Sequence, residues 1–211
     1  MSITGSKHQR VVERATEVFC RYGFARTTMG DIAERCEISR PALYLLFPDK
    51  EAIFTAVVER MDQDKLASIR AEVAHLKDLR GKLLHACLSW GCHGIDLAAS
   101  HPDAADLFDL RYPVVQRVYR NFQGLVVELI SERFRTARLK MPTEQAARAL
   151  VFSMRGLRET AADRRDMQNL ITSLVDIFVR AIERCPPTES GNVAVLNALP
   201  ERGVQLARRG R

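Results

Sequence analysis

The chain has 211 residues, a net charge of +6, 46% hydrophobic residues and five scattered cysteines. That length allows one or two domains with an ample core. Five cysteines without a Cys-x-x-Cys pair fit reduced thiols better than a disulfide framework. The first ten residues lack the apolar run of a secretory signal, and no stretch reaches the roughly 20 apolar residues that span a bilayer. These features predict a soluble cytoplasmic protein with no membrane partner.

Positive charge is spread along the chain rather than gathered at one end. Residues 7–60 carry nine Lys and Arg against eight Asp and Glu. Non-specific affinity for nucleic acid requires a clustered positive face. The bulk charge therefore does not indicate a nucleic-acid binder, and any evidence for DNA binding has to come from individual residues.

A first helix is predicted over about residues 7–22, and Gly23 is expected to end it. Its apolar side carries Val11, Ala15, Val18, Phe19 and Tyr22. A helix turns by about 100° per residue. At that spacing a basic stripe lies beside the apolar side, and it consists of Lys7, Arg10, Arg14 and Arg21. The stripe is either a solvated face or a set of phosphate contacts.

Residues 28–50 predict two short helices joined by a tight turn. Thr28 can cap the first helix, with Asp31 as its capping-box partner. Ser39 can cap the second, and Pro41 in the first turn is harmless there because that position needs no N–H donor. Leu43, Leu46 and Phe47 are expected to face the core, which leaves Arg40, Pro41, Ala42, Tyr44 and Leu45 facing outward. Such a pair can place one helix in the major groove of DNA.

Helical spacing continues beyond this pair, and runs of alternating strand pattern are absent. Further helices are predicted at about residues 49–75, 78–98, 103–110, 112–137, 143–159 and 166–184. From residue 186 the composition changes to Pro-Pro, Ser-Gly and a basic end, which predicts a loose tail.

Several short motifs stand in a fixed order over residues 7–58. They are Phe19-Cys20-Arg21-Tyr22-Gly23-Phe24, Thr27-Thr28, Asp31-Ile32-Ala33, Ile38-Ser39, Ala42-Leu43-Tyr44, Phe47 and Pro48-Asp49-Lys50-Glu51-Ala52-Ile53. This order resembles the DNA-binding domain of the TetR family of bacterial transcriptional regulators. Many positions at fixed spacing make the resemblance specific.

The resemblance implies an all-α fold. It divides the chain into an N-terminal tail at 1–6, a helix-turn-helix DNA-binding domain at 7–58 with the motif at 28–47, a helical effector-binding and dimerisation domain at 59–185, and a flexible basic tail at 186–211. The family carries glycine in the turn where this chain has Glu37. A left-handed conformation is costly for other residues, so the turn is either strained or differently shaped.

The resemblance also implies which residues contact DNA. Arg40 would read bases, since a guanidinium can pair both acceptors of guanine, and Ala42 would touch a thymine methyl. Phosphate contacts would come from Thr28, Tyr44 and Lys50. Ser39, which caps the reading helix, and Pro41, which faces outward from it, are the other predicted DNA-binding residues. The alternatives are that Tyr44 only packs and that Lys50 only caps helix ends.

The second domain is expected to dimerise and to hold a small molecule. A homodimer would form through helices at about 143–159 and 166–184, with apolar faces at Ala146, Ala147, Leu150, Met154 and Leu157 and at Leu170, Leu174, Ile177, Phe178 and Ala181. The alternative is that these faces line the chain's own core. An effector pocket would lie between the middle helices, with His85, Ser89, Trp90, Cys92, His93, Phe108, Tyr112 and Phe122 as its candidate residues.

The sequence thus predicts a homodimeric regulator that binds double-stranded DNA, acts as a repressor and leaves its operator when an effector binds. It needs no cofactor. One alternative is a helical enzyme with His85, His93 and Asp96 as acid–base groups, although no nucleophile motif or phosphate loop is evident. Another is a sensor that uses Cys92 or a metal, although the compact spacing of zinc motifs is missing.

Overall fold

The computed structural model describes residues 3–137 and 141–183. These residues form eight α-helices and no strand, which confirms the all-α prediction. The helices are α1 (Ile3–Arg26), α2 (Met29–Arg35), α3 (Arg40–Tyr44), α4 (Lys50–Val73), α5 (Leu79–Ser100), α6 (Pro113–Ala137), α7 (Thr143–Thr160) and α8 (Arg164–Glu183). The loose tail predicted at 186–211 lies outside the described residues.

The segment between α5 and α6 differs from its prediction. It is a 3-10 helix, Pro102–Phe108, in which Ala104 departs from helical angles (φ −89°, ψ 23°). Short helices of the tighter 3-10 type are common connectors. The other helix ends lie within a few residues of their predicted positions, except that α1 begins at Ile3 rather than near residue 7.

Gly23 breaks α1, as the sequence indicates. Its φ of 74° and ψ of 163° lie outside the helical region, in a part of backbone space that only glycine adopts readily. Immediately after this break, Phe24 is buried, with 7% of its surface exposed. Tyr22, predicted to lie on the apolar side, is instead 46% exposed.

The α2–α3 pair forms as predicted. The Thr28 side chain caps α2 and Asp31 completes the capping box, while Ser39 caps α3. Glu37 in the turn has a φ of 57°. Its N–H donates to the Glu34 carbonyl at 3.0 Å, and the Ile38 N–H donates to the Ala33 carbonyl at 3.0 Å. These two bonds make a Schellman ending of α2, with a glutamate in the strained position that usually holds glycine.

One continuous hydrophobic core joins both parts of the chain. The α4 helix passes from one to the other, with Phe54 and Val57 buried near its start and Leu66 and Ile69 buried near its end. Beyond α4, the α5 helix packs along α8, and α6 packs along α7. Within the described residues, no helix has the length and apolarity needed to cross a bilayer.

The apolar face predicted for dimerisation on α7 lies in the chain's own core. Ala146, Ala147, Leu150 and Met154 are each at most 3% exposed, because this face packs against α6 and α8. The alternative stated above is therefore the correct one for α7. The opposite side of α7 exposes Phe152 at 40%, together with Ala149, Ser153 and Gly156.

The predicted face of α8 remains accessible. Ile177 is 68% exposed and Ala181 is also exposed, while Leu170, Leu174 and Phe178 are half-buried. An apolar stripe with one strongly exposed large residue is the type of surface that a partner covers.

Candidate nucleic-acid interface and ligand cavity

The outer face of α3 is open to solvent and its inner face is locked into the core. Leu43 is fully buried and Phe47 is 7% exposed, whereas Tyr44 is 52% and Leu45 88% exposed. Arg40 and Pro41 are exposed as well, and Ala42 is half-buried. A short helix held rigidly from behind can present side chains to the edges of bases.

The Arg40 side chain packs against α2 at Gly30. A Cβ on Gly30 would overlap the Arg40 guanidinium, so this side chain can lie there only because Gly30 has none. Hydrogen bonds from Thr28 lower the pKa of Asp31, and the charge of Arg40 adds to that effect. The guanidinium therefore stands on the same exposed side as the start of α2.

Thr28 and Ser39 serve as caps in this structure. The Thr28 hydroxyl donates to the Asp31 carboxylate at 2.8 Å, and the Thr28 backbone N–H donates to the same oxygen at 2.7 Å. The Ser39 hydroxyl accepts from the Ala42 N–H at 3.3 Å. The two hydroxyl groups thus satisfy backbone N–H groups at the starts of α2 and α3.

Lys50 points into the domain. Its ammonium donates to the Phe24 carbonyl at 2.8 Å and lies 4.3 Å from the centre of the Phe24 ring. A cation at the carbonyl end of a helix is favourable, so Lys50 caps the end of α1 here. A phosphate contact would require the ammonium to leave that carbonyl.

The basic stripe of α1 is partly neutralised. Arg10 lies 3.3 Å from Glu37 and Arg14 lies 3.0 Å from Glu17. Exposed ion pairs of this kind are weak, so phosphates can compete for these guanidinium groups.

A cavity of about 80 Å³ lies between α4, α5, α6, α7, α8 and the 3-10 helix. One water needs about 10–15 Å³ by the same measure, so the cavity has room for several waters or one small organic molecule. Its apolar walls are Val58, Met61, Trp90, Leu97, Leu107, Phe108, Val115, Val118, Tyr119, Met154 and Met167. Its polar side chains are Asp62, Lys65, His93, Arg155 and Arg158.

The predicted pocket residues divide into two groups. Trp90, His93 and Phe108 line the cavity. Phe122 lies directly behind its wall, stacked on Trp90 with ring centres 4.4 Å apart. Tyr112 instead packs against Phe24 and Phe54, with ring centres 5.3 and 5.2 Å away.

The other polar candidates on α5, from the predicted pocket and from the enzyme alternative, do not line the cavity. His85 Nε2 lies 2.9 Å from a Glu72 oxygen, and Asp96 forms an ion pair with Arg164. Ser89 is half-buried outside the lining. Cys92 is 3% exposed, and burial raises the pKa of its thiol. Among the described residues, no group of three or more His, Cys, Asp or Glu side chains is placed to hold a metal.

Asp62 is the polar group that sequence reasoning missed. It is 6% exposed, and Asn121 donates to its Oδ2 at 2.7 Å, but its buried Oδ1 has no hydrogen-bond partner among residues 3–137 and 141–183. Burial raises the pKa of this carboxyl, and the Asn121 hydrogen bond opposes the rise. The available signal was spacing, because Asp62 falls on the same stripe as the buried Val58, Leu66 and Ile69.

We predict that Asp62→Asn stabilises the chain increasingly as pH rises. Below the unfolded-state pKa, about 3.9, the carboxyl is neutral in both states. Above that pH, the carboxyl ionises in the unfolded chain but stays protonated in the folded chain, because its folded-state pKa is raised. The folded state therefore loses stability relative to the unfolded state until the pH exceeds the folded-state pKa. Urea unfolding near pH 4 and near pH 7 should show the gain only at the higher pH. Asp64→Asn is the exposed control, and an equal effect of Asp62→Asn at both pH values would contradict the account.

The cavity is connected to the DNA-facing helices through the 3-10 helix. Leu107 and Phe108 line the cavity. In the same helix, the Asp106 carboxylate accepts from the Ala25 N–H at 3.0 Å, and Asp103 pairs with Arg26. Arg26 precedes the α2 cap by two residues, so these contacts join the helix that carries the cavity wall to the end of α1, next to the α2–α3 pair.

Residues 11–57 match the sequence profile of the bacterial regulatory proteins of the tetR family. The HTH-type transcriptional regulator YerO of Bacillus subtilis is 35% identical over 71 residues, which are 32% of this chain and 25% of YerO. The HTH-type transcriptional regulator UidR of Escherichia coli K12 is 26% identical over 137 residues, or 62% of this chain and 66% of UidR. The aligned segments thus cover a quarter to about two thirds of these relatives.

The fold is similar to that of solved regulators over most of the chain. The fatty acid degradation regulator FadR from Bacillus halodurans superimposes with a TM-score of 0.64 at 16% identity, covering 82% of this chain and 94% of that one. The described helices, the helix-turn-helix geometry and the profile match agree. Members of the matching family are regulators and not enzymes. Residues 11–57, which contain the α2–α3 helix-turn-helix, thus match the TetR family of bacterial transcriptional regulators, and the remaining helices share the fold of solved regulators.

Proposed function

We propose that the chain is a homodimeric repressor in the cytoplasm that binds a two-fold DNA operator and leaves it when a small molecule enters the cavity. The observation that carries this proposal is the contact between the cavity wall and the end of α1, made by Asp103 and Asp106. It gives a ligand a physical route to the helix pair.

The DNA-binding half rests on α3. Its exposed Arg40, Pro41 and Tyr44 stand on one side, and the buried Leu43 fixes the helix from the other. Arg40 and Ala42 would contact base edges. Tyr44 would hold a phosphate and fix the register. Thr28 would offer the start of α2 to a second phosphate.

The dimer would form through the outer sides of α7 and α8. Phe152 on α7 and Ile177 on α8 are the large apolar residues exposed there. Two helices from each chain would make a four-helix bundle. A two-fold operator requires the two reading helices to lie about 34–36 Å apart, and the bundle would set that separation.

Release would follow from a shift between two helix spacings. A ligand that displaces Leu107 or Phe108 moves the 3-10 helix, and with it the Ala25 and Arg26 contacts that precede α2. The ligand acts only as far as it prefers the spacing that does not fit the operator. Sensing by Cys92 is the weaker candidate, since a reactive thiol needs exposure and a lowered pKa.

We predict that Arg40→Ala lowers affinity for a selected operator by about 5–150-fold and leaves affinity for a scrambled duplex nearly unchanged. The loss would reflect a bidentate contact with guanine rather than a phosphate contact. The operator is first obtained by selection from a random duplex pool. Arg120→Ala, an exposed arginine on α6, serves as the matched control. Equal losses on both duplexes would show that Arg40 does not read sequence.

A further inference from the structure

The charges around the cavity are unevenly distributed. Lys65, Arg155 and Arg158 contribute three cations, and Asp62 contributes the single carboxyl group of the lining. Desolvation and the charge of Lys65 lower the pKa of His93, which favours its neutral form. Glu159 pairs with Arg155, so Lys65 and Arg158 are the main cations that would attract an anionic group in the cavity.

Asp62 offers a ligand one buried carboxyl oxygen. Buried polar atoms are nearly always hydrogen-bonded, and leaving one unsatisfied costs about 1–3 kcal/mol. Asn121 donates to one carboxyl oxygen, whereas Oδ1 has no partner in the part of the chain that the structure describes. A ligand hydroxyl or amino group at Oδ1 would satisfy it.

Two arginines of α7, Arg155 and Arg158, line the same cavity as Asp62. Arg155 Nε is also buried without a hydrogen bond, although it lies 3.4 Å from Glu159. The Arg158 guanidinium lies over the Phe108 ring, 4.6 Å from its centre. Two arginines on one wall suit a carboxylate, because the guanidinium fork matches its geometry.

The remaining walls suit a flat apolar body. Trp90 stands perpendicular to Tyr119 with ring centres 5.2 Å apart, and Phe108 and Met154 also line the space. Aromatic walls favour stacked and edge-on ring contacts, and thioethers pack well against rings. The volume of about 80 Å³ limits the apolar body to at most one small ring, since a cavity of about 150 Å³ is known to hold benzene.

We propose that the cavity selects a small aromatic acid that carries a hydrogen-bond donor. The ring lies among Trp90, Phe108 and Tyr119, the acid group pairs with Arg155 and Arg158, and the donor binds Asp62 Oδ1. The role of this ligand as effector rests on the proposed function, whereas its binding does not.

The test uses three probes that share one ring and differ at one group. They are 4-hydroxyphenylacetate, phenylacetate without the donor, and tyramine with a cation in place of the acid. Trp90, the only tryptophan of the chain, reports binding by its fluorescence. We expect 4-hydroxyphenylacetate to bind about tenfold or more tightly than either other probe. Tyramine binding as tightly, or no binding of any probe up to about 10 mM, would overturn the proposal.

Two variants assign the groups. Asp62→Asn should shrink the difference between 4-hydroxyphenylacetate and phenylacetate, and Arg158→Gln should shrink the difference between 4-hydroxyphenylacetate and tyramine. Asp64→Asn on α4 and Arg165→Gln on α8, both exposed, are the matched controls. Unchanged differences in the two cavity variants would remove Asp62 and Arg158 from the site.

A parallel measurement of operator affinity separates the two proposals. If 4-hydroxyphenylacetate binds in the expected order and operator affinity stays constant, the ligand class is supported and the effector role fails. If another molecule releases the operator while the probes do not bind, the regulator stands and the ligand class is overturned.

Discussion

Replacing Gly23 with alanine is expected to lower the free energy of unfolding by about 2–5 kcal/mol. The position has a φ of 74°, which an L side chain rarely adopts, and an added Cβ would overlap the backbone carbonyl oxygen of Asp103. Neither atom can move freely, because one belongs to α1 and the other to the 3-10 helix. The helix pair and the cavity wall would have to separate.

Chemical unfolding of Gly23→Ala beside Gly124→Ala measures this effect. Gly124 lies within α6, and a Cβ there would meet nothing within 4 Å. Alanine is favoured over glycine inside a helix by about 0.5–1 kcal/mol, so the control should be slightly more stable than the parent. A Gly23→Ala protein as stable as the parent would contradict the close contact between α1 and the 3-10 helix.

Replacing Ile177 with arginine is expected to abolish dimerisation and to weaken operator binding by about a hundredfold or more. Ile177 is the most exposed large apolar residue of α8, at 68%, and a buried unpaired charge in an interface is strongly unfavourable. Loss of the second half-site removes the gain from two linked binding events, which is commonly 10²–10⁴-fold.

Sedimentation at micromolar concentration together with operator titration measures both effects. Ala67→Arg adds the same charge at an exposed position of α4 and should change neither the oligomeric state nor the operator affinity. A dimeric Ile177→Arg protein would place the interface elsewhere on the chain.

Local signals made the N-terminal helices predictable. The caps at Thr28 and Ser39 act within three residues of themselves, so spacing alone identifies them. Gly23 and Glu37 are also local, since each reflects a backbone angle that a single position must adopt. Proline and glycine residues also marked several helix ends after α4.

Tertiary packing decided what the sequence left open. An apolar stripe on α7 has the same spacing whether it faces its own core or a partner, so Ala147 and Leu150 gave no sign of which they cover. Lys50 turned inward because the end of α1 presents a carbonyl to it, a contact 26 residues away in sequence. Tyr112 belongs to an aromatic group with Phe24 and Phe54, which only the folded chain brings together.

The residues around the cavity could not be grouped from the sequence either. Asp62 stands among charged neighbours on α4 that favour a solvated interpretation, and Arg155 lies on a different helix 93 residues later. Periodicity places each residue on a face of its own helix. It cannot show that two such faces meet around one small volume.

The central claim is sequence-selective DNA binding by the α2–α3 pair. The most direct test is the affinity of the purified chain for the selected duplex and for its scrambled counterpart, across a salt series and beside Tyr44→Ala. We predict tight binding of the selected duplex by the parent, loss of that binding in Tyr44→Ala, and weak, steeply salt-dependent binding of the scrambled duplex. Equal affinity of the parent for both duplexes at every salt concentration would contradict the account.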